Sequence, residues 1–220
     1  MDVKVREEDI VWVRNLKGIE DSFRRQLAIG SIITNIFSYN GLEKPILVGG
    51  SVVAIYSAGQ YKTVDLDMKA YSVSEYNVIL KELGYTKLGK DFYNGELDSY
   101  VEFPSGVMED SMKHVRELII EETELPLYVL GFEDIIIDRV CSFYATNDQD
   151  SKEWALRLMG ALYDDIDWSY LHGRSNELGI LKITEKLQRN VKRYKRIYEL
   201  MNNETSASVL EKTTMKTKFF

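Results

Sequence analysis

Two aspartates one residue apart, Asp65 and Asp67, lie in the stretch Thr63-Val64-Asp65-Leu66-Asp67. On a strand, residues i and i+2 point to the same side, so the spacing aims two carboxylates at one point. Two such groups repel, and each raises the other's pKa unless a cation joins them. Hard oxygen ligands of this kind suit Mg²⁺, which takes its remaining ligands from water and phosphate. Upstream, Ile46-Leu47-Val48 reads as a short strand, and Gly49-Gly50-Ser51 as the turn from it into a helix. Glycine lets a backbone approach a phosphate closely, and a helix N-terminus offers free N–H groups and a positive dipole end to an anion. The Ser51 hydroxyl can add a hydrogen bond. Gly49, Gly50 and Ser51 are therefore candidates for gripping phosphates, and Asp65 and Asp67 for holding a metal. Together these are the parts of a metal-stabilised phosphoryl or nucleotidyl transfer.

Neither motif is specific alone. Asp148/Asp150 and Asp165/Asp167 show the same spacing, but they stand where helices begin, and acids there serve as caps. The order strand, Gly-Gly-Ser, helix, Asp-x-Asp strand is what singles out Asp65 and Asp67. Lys62 flanks the motif and reads as a solvated strand-end lysine. In the second half of the chain, Lys152 is a candidate triphosphate contact, whereas Arg139 reads as one side of a helix-face ion pair. His114 and His172 have no metal-ligand spacing with a cysteine pair, and Cys141, in an apolar stretch, reads as a buried small residue.

Mixed elements must position these groups. Residues 7 to 38 carry apolar residues at helical spacing, with Gly18 and Gly30 as possible breaks. Tyr61 to Tyr71 reads as the Asp-x-Asp strand, and Ser74 caps a helix that Gly84 stops. Tyr85 to Phe92 and Leu97 to Phe103 read as a hairpin around Asn94-Gly95. Val115 to Glu121 and Leu127 to Val129 are further strands. From Gly131 onward the pattern is helical only, with helices at 132–144, from 150 or 151 to 163, a short one from 164, and a last one over 174–201. The last carries the apolar stripe Ile180, Ile183, Leu187, Val191, Tyr194, Tyr198 and Met201. Lys182, Lys186, Arg189, Lys192, Arg193, Lys195 and Arg196 lie between them, a solvated basic face or a docking rail for RNA phosphates or an acidic partner.

Composition sets the frame. Of 220 residues, 45% are hydrophobic and 29% charged, as in a globular protein with a substantial core. A net charge of −7 disfavours coating duplex DNA, which needs a broad basic face. The single cysteine excludes an internal disulfide. The charged first residues lack the apolar core of a secretory signal, and no apolar run is long enough to span a membrane. These features predict a cytoplasmic protein.

The ordered elements resemble the minimal nucleotidyltransferases of the DNA polymerase β superfamily. Thr63-Val64-Asp65-Leu66-Asp67 matches their Thr-x-Asp-hydrophobic-Asp signature. The stretch Phe132-Glu133-Asp134-Ile135-Ile136-Ile137-Asp138-Arg139 resembles the start of the helical domain in bacterial stand-alone members, toxins and antitoxins among them. Trp154-Ala155-Leu156-Arg157-Leu158 and Ile166-Asp167-Trp168-Ser169-Tyr170-Leu171 continue the likeness, which covers residues 45 to 172. It implies an α+β architecture. A nucleotidyltransferase-fold mixed sheet with flanking helices is expected over 1–130, a C-terminal helical bundle over 131–201, and a mobile tail over 202–220, with the active site in the cleft between the two domains. It also implies Mg²⁺-dependent transfer of a nucleoside monophosphate from a triphosphate such as ATP. The acceptor would be a hydroxyl on RNA (a tRNA end), a protein or a small molecule. Such enzymes carry a third carboxylate on a neighbouring strand, more often an aspartate. Here Glu102 is the first choice and Asp98 the second; a glutamate reaches farther and still serves as base or ligand. Glu102 in place of aspartate favours the alternative, a binding module (antitoxin or regulatory subunit) that keeps the fold with little catalysis. The intact Asp65/Asp67 pair opposes it.

Overall fold

The computed structural model describes residues 3–70, 73–104 and 114–209, with side chains over 3–70, 75–104 and 114–196. Two helices, α1 (Glu7–Asn15) and α2 (Ser22–Tyr39), open the chain, joined by a 3₁₀ turn at Leu16–Gly18. Asp21 caps α2 by accepting from the Phe23 and Arg24 N–H groups. Gly18 does end a turn, but Gly30 lies inside α2. A Cβ there would meet Leu127 at 3.1 Å and Leu66 at 3.5 Å, so the small residue lets the helix sit close on the sheet.

Next come β1 (Ile46–Leu47), α3 (Gly49–Tyr56), β2 (Asp65–Lys69), α4 (Val73–Glu82), β3 (Thr86–Leu88), β4 (Asp91–Asn94), β5 (Ser99–Glu102), β6 (Arg116–Ile120) and β7 (Leu125–Val129). The seven strands form one sheet in the order β3-β4-β5-β2-β1-β7-β6. The β2/β5 and β1/β7 pairs are parallel and the others antiparallel. The sheet is therefore mixed, as the α+β expectation requires. One correction concerns residues 85–92, expected as a single strand. Gly89 (φ +65) and Lys90 form a tight turn there, so the stretch is two paired strands, β3 and β4.

The side-chain period of two divides the sheet faces. Leu66 and Met68 of β2, Val101 of β5, Phe92 of β4, and Leu127 and Val129 of β7 are buried. The α2 residues Ala28, Ile29, Ile32, Ile33, Ile36 and Phe37 are fully buried too, and α2 packs on β2 and β7. The opposite face of β2, β4 and β5 carries Asp65, Asp67, Asp91, Tyr93, Tyr100 and Glu102, all half-buried.

The helices α5 (Phe132–Thr146), α6 (Gln149–Ala161), α7 (Trp168–Glu177) and α8 (Leu181–Val209) complete the chain. Two compact units result, Met1–Asp138 and Arg139–Phe220, so the division falls within α5. In the second unit α8 packs on α6 and α7. Asp148 and Asp167 cap α6 and α7 by accepting from Asp150 N–H and Tyr170 N–H, the role expected for these acids. The last helix starts later than expected, because α7 runs to Glu177 and Gly179 (φ +72) turns the chain before Leu181. It continues to Val209, past the expected end at 201. Of the stripe, Ile180, Leu187 and Val191 are buried but Tyr194 is 71% exposed; the Tyr198 and Met201 side chains lie outside the described residues. Cys141 is half-buried rather than buried. No helix among the described residues is long and apolar enough to cross a membrane.

Leu66 is the buried residue between the two aspartates. Leu66→Ala should cost about 3 kcal/mol through lost transfer energy and a cavity. Urea unfolding should show this as a lower midpoint at an unchanged slope.

Candidate active site

Strand β2 holds Asp65 and Asp67 on one face. It is fixed on both sides: β1 pairs Leu47 with Met68, and β5 pairs Asp65 with Tyr100 and Asp67 with Glu102. Directly opposed residues in a ladder face the same way, so Glu102 joins the two aspartates on their face. The Gln26 side-chain N–H₂ donates to Val64 O at 2.5 Å, tying α2 to the residue just before the pair.

The Gly-Gly-Ser turn is built onto these aspartates. Val48 N–H donates to Asp67 O at 2.9 Å. Gly49 follows with φ +63, in the left-handed region that favours glycine. A Cβ at Gly49 would fall inside contact distance of Asp67 Oδ2. Gly50 N–H faces the Asp67 carboxylate and acts to lower its pKa. A Cβ at Gly50 would meet the Tyr61 ring at 3.0 Å and Thr63 Oγ1 at 3.1 Å. Both glycines are thus needed first for Asp67 and its own strand. Ser51 differs from expectation: its side chain is fully buried and donates to Asp65 O at 2.9 Å. That bond locks the start of α3 to β2, and it spends the hydroxyl proton within the fold.

Electrostatics set the site apart. Burial pushes the Asp67 carboxyl up to about 6, with the charges of Glu102 and then Asp65 adding to it. The Gly50 N–H and the Lys90 ammonium oppose the rise. Asp65 is also raised, by burial first, then by Asp91 and Glu102. Lys90 Nζ lies 2.6 Å from Glu102 Oε1. Two half-buried carboxylates held above their ordinary pKa, facing a third, favour a cation between them. Among the described residues no three acidic, histidine or cysteine groups form a complete cage. A pair of carboxylates on one face is the kind of donor set by which Mg²⁺ is commonly held together with substrate phosphates and water.

Other expected residues have partners of their own within their units. Asp98 precedes β5 with φ +45 and accepts from the Tyr93 hydroxyl at 3.3 Å, so it does not share the Asp67 register. Lys62 is exposed beside Asp21, whose carboxyl its charge helps to lower. Lys152 belongs to the second unit, where its Nζ lies 5.3 Å from the Phe143 ring centroid and donates to Gln149 Oε1 at 3.5 Å. Arg139, in that unit, adds to the lowering of Asp148, which is mainly due to the Ser151 hydroxyl. His172 Nε2 bonds Gln188 Oε1 at 3.0 Å, a contact between α7 and α8. Sequence reading missed Lys90, Asp91 and Gln26. The Gly89-Lys90 dipeptide was the available signal for the turn that presents the first two.

Residues 25–205 match the model of a family described as "Nucleotidyltransferase of unknown function (DUF6036)". Comparison with curated proteins gave no match. Among solved structures, an antigenic nucleotidyltransferase-like protein from Paracoccidioides brasiliensis aligns with 64% of this chain and 76% of its own, at 11% identity and a TM-score of 0.48. The antibiotic-resistance factor ANT(2'')-Ia aligns with 76% of this chain and 91% of its own, at 14% identity and a TM-score of 0.43.

The raised carboxyl gives a signed expectation. The folded Asp67 binds its proton more tightly than the unfolded chain does, so the protein loses stability as pH rises through the window from 3.8 to about 6. Asp67→Asn should therefore stabilise the metal-free protein at pH 7.5 by on the order of 1 kcal/mol after solvent screening. That corresponds to roughly 2–4 °C in Tm. The gain should shrink at pH 5, as melts of both proteins across pH will show. Gly49→Ala, by contrast, should cost about 2–3 kcal/mol at every pH, since it strains the backbone and displaces Asp67.

Proposed function

The chain belongs to this nucleotidyltransferase family, and on that premise we propose that it moves a nucleoside monophosphate from a nucleoside triphosphate to an acceptor hydroxyl, with Mg²⁺ held by Asp65 and Asp67. The observation that carries this reading is the join between turn and strand: Val48 N–H donates to Asp67 O and Ser51 Oγ to Asp65 O, each at 2.9 Å, and a Cβ on Gly49 would meet the Asp67 carboxylate. It brings the N-terminus of α3 against the aspartate pair, so one rigid unit offers both an anion-binding helix end and cation-binding carboxylates.

In this reading Asp65 and Asp67 supply the protein's metal-binding oxygens. The Gly49-Gly50-Ser51 turn at the N-terminus of α3 holds the β- and γ-phosphates, and the Ser51 side chain positions it through its bond to Asp65 O. Glu102 lies opposite Asp67 and orients the acceptor hydroxyl, taking its proton as the oxygen attacks the α-phosphorus. The α–β phosphoanhydride bond breaks and pyrophosphate leaves. A bound divalent cation would supply charge neutralisation on the phosphate oxygens. The acceptor is a hydroxyl of RNA, of a protein or of a small molecule.

The test is incubation with each α-³²P-labelled NTP, Mg²⁺, and total RNA and protein from the source cells, followed by a panel of small polyhydroxyl acceptors. The intact protein should transfer label. Asp65→Ala/Asp67→Ala should reduce transfer at least about a thousandfold, as loss of several kcal/mol of transition-state stabilisation implies. Glu102→Gln should reduce it about a hundredfold or more while leaving triphosphate binding intact. Binding of NTP without transfer to any acceptor would instead support the binding-module alternative.

A further inference from the structure

The tight turn between β3 and β4 presents a lysine to the carboxylates. Leu88 pairs with Asp91, which leaves Gly89 and Lys90 as the two turn residues. Asp91 in turn pairs with Glu102, and Glu102 with Asp67. Strand order thus sets Lys90 beside Glu102 and, beyond it, Asp67, acids of two other strands. Its Nζ meets Glu102 Oε1 at 2.6 Å, while its own side chain is 75% exposed and that of Glu102 only 18%. The same ammonium charge acts on Asp65 and Asp67, opposing the rise that burial causes. Its own pKa is raised, first by the hydrogen bond and charge of Glu102, then by Asp91 and Asp67.

We propose that Lys90 is a built-in counter-cation, whose ammonium balances Asp65, Asp67 and Glu102 while no divalent metal is bound and leaves Glu102 when one binds. The proposal rests on the reading of Asp65 and Asp67 as metal ligands. The physics favours exchange over a fixed contact. A lysine–carboxylate pair whose ammonium is exposed is worth little, because solvent reaches and screens it and the long side chain loses freedom in holding it. A divalent ion ligated directly by two carboxylates carries twice the charge at shorter range and displaces it. Two consequences follow. The ammonium competes with the metal, so it lowers metal affinity. It also occupies Glu102 until the metal binds, so the acceptor's base is released only in the loaded site.

The test uses Mn²⁺ as the probe, with affinity read by electron paramagnetic resonance at low ionic strength. Wild type, Lys90→Met, Lys90→Arg and Asp67→Asn are compared, with melts in EDTA to show that each is folded. Lys90→Met should bind Mn²⁺ about three- to tenfold more tightly, an effect that shrinks in high salt. Lys90→Arg, which keeps the charge, should match wild type. Unchanged or weaker Mn²⁺ binding by Lys90→Met, with binding by wild type intact and lost in Asp67→Asn, overturns the counter-cation and leaves the metal site standing. The counter-cation is equally overturned if Lys90→Arg behaves like Lys90→Met, since charge is then not the cause. Absence of Mn²⁺ binding by wild type, or full binding by Asp67→Asn, overturns the metal reading and this proposal with it.

Discussion

The site depends on the contact between a glycine turn and one carboxylate. The Asp67 carboxylate lies inside contact distance of where a Cβ of Gly49 would be, and the Gly50 N–H beside it acts to lower its pKa. A side chain at 49 would push the carboxylate away and would also have to adopt a left-handed backbone. The strand on the other side is equally constrained, since β1 and β5 pair it along both edges. The distance between the start of α3 and the Asp65/Asp67 pair is therefore set by backbone, with no long side chain to loosen it. Such rigidity suits a site that must hold a metal and a phosphate at fixed separation.

The arrangement carries an energetic cost. Burial and neighbouring acids hold Asp67 and Asp65 above their ordinary pKa, so at neutral pH the folded protein retains charges it would rather neutralise. The core absorbs that cost. Leu66 and Met68 are fully buried on the reverse of the same strand, packed under α2, and Gly30 lets that helix approach Leu66 and Leu127 closely. The candidate site and the core thus use alternate residues of one strand. Cations near the acids reduce the cost, which gives Lys90 a physical reason to sit where it does.

Much of this was legible in the sequence, and the illegible parts share a cause. Period two placed Asp65 with Asp67, and Gly49-Gly50 announced a turn, because both are local patterns. Glu102 was found by likeness to a family and not by a local rule, since its pairing with Asp67 depends on strand order. Lys90 and Asp91 were missed for the same reason: β4 lies beside β5, and β5 beside β2, which nothing in the local sequence states. The turn at Gly89-Lys90 was hidden because Leu88 and Phe92 keep the apolar spacing of one strand. The Ser51 hydroxyl was misread because spacing tells which residue is present but not which way its side chain donates. In the second unit, Gly179 (φ +72) separates two helices that the reading of one helix over 174–201 joined.

If the Gly49–Ser51 turn and the Asp65/Asp67 strand form a single metal–triphosphate site, both ligands must be found there together. A crystal structure of the protein with Mn²⁺ and a non-hydrolysable nucleoside triphosphate analogue would show whether they are. The expected result is an anomalous Mn²⁺ peak bridging Asp65 and Asp67, with the β- and γ-phosphates on the backbone N–H groups of the turn. A triphosphate bound away from that turn, or a metal held without either aspartate, would contradict the single site.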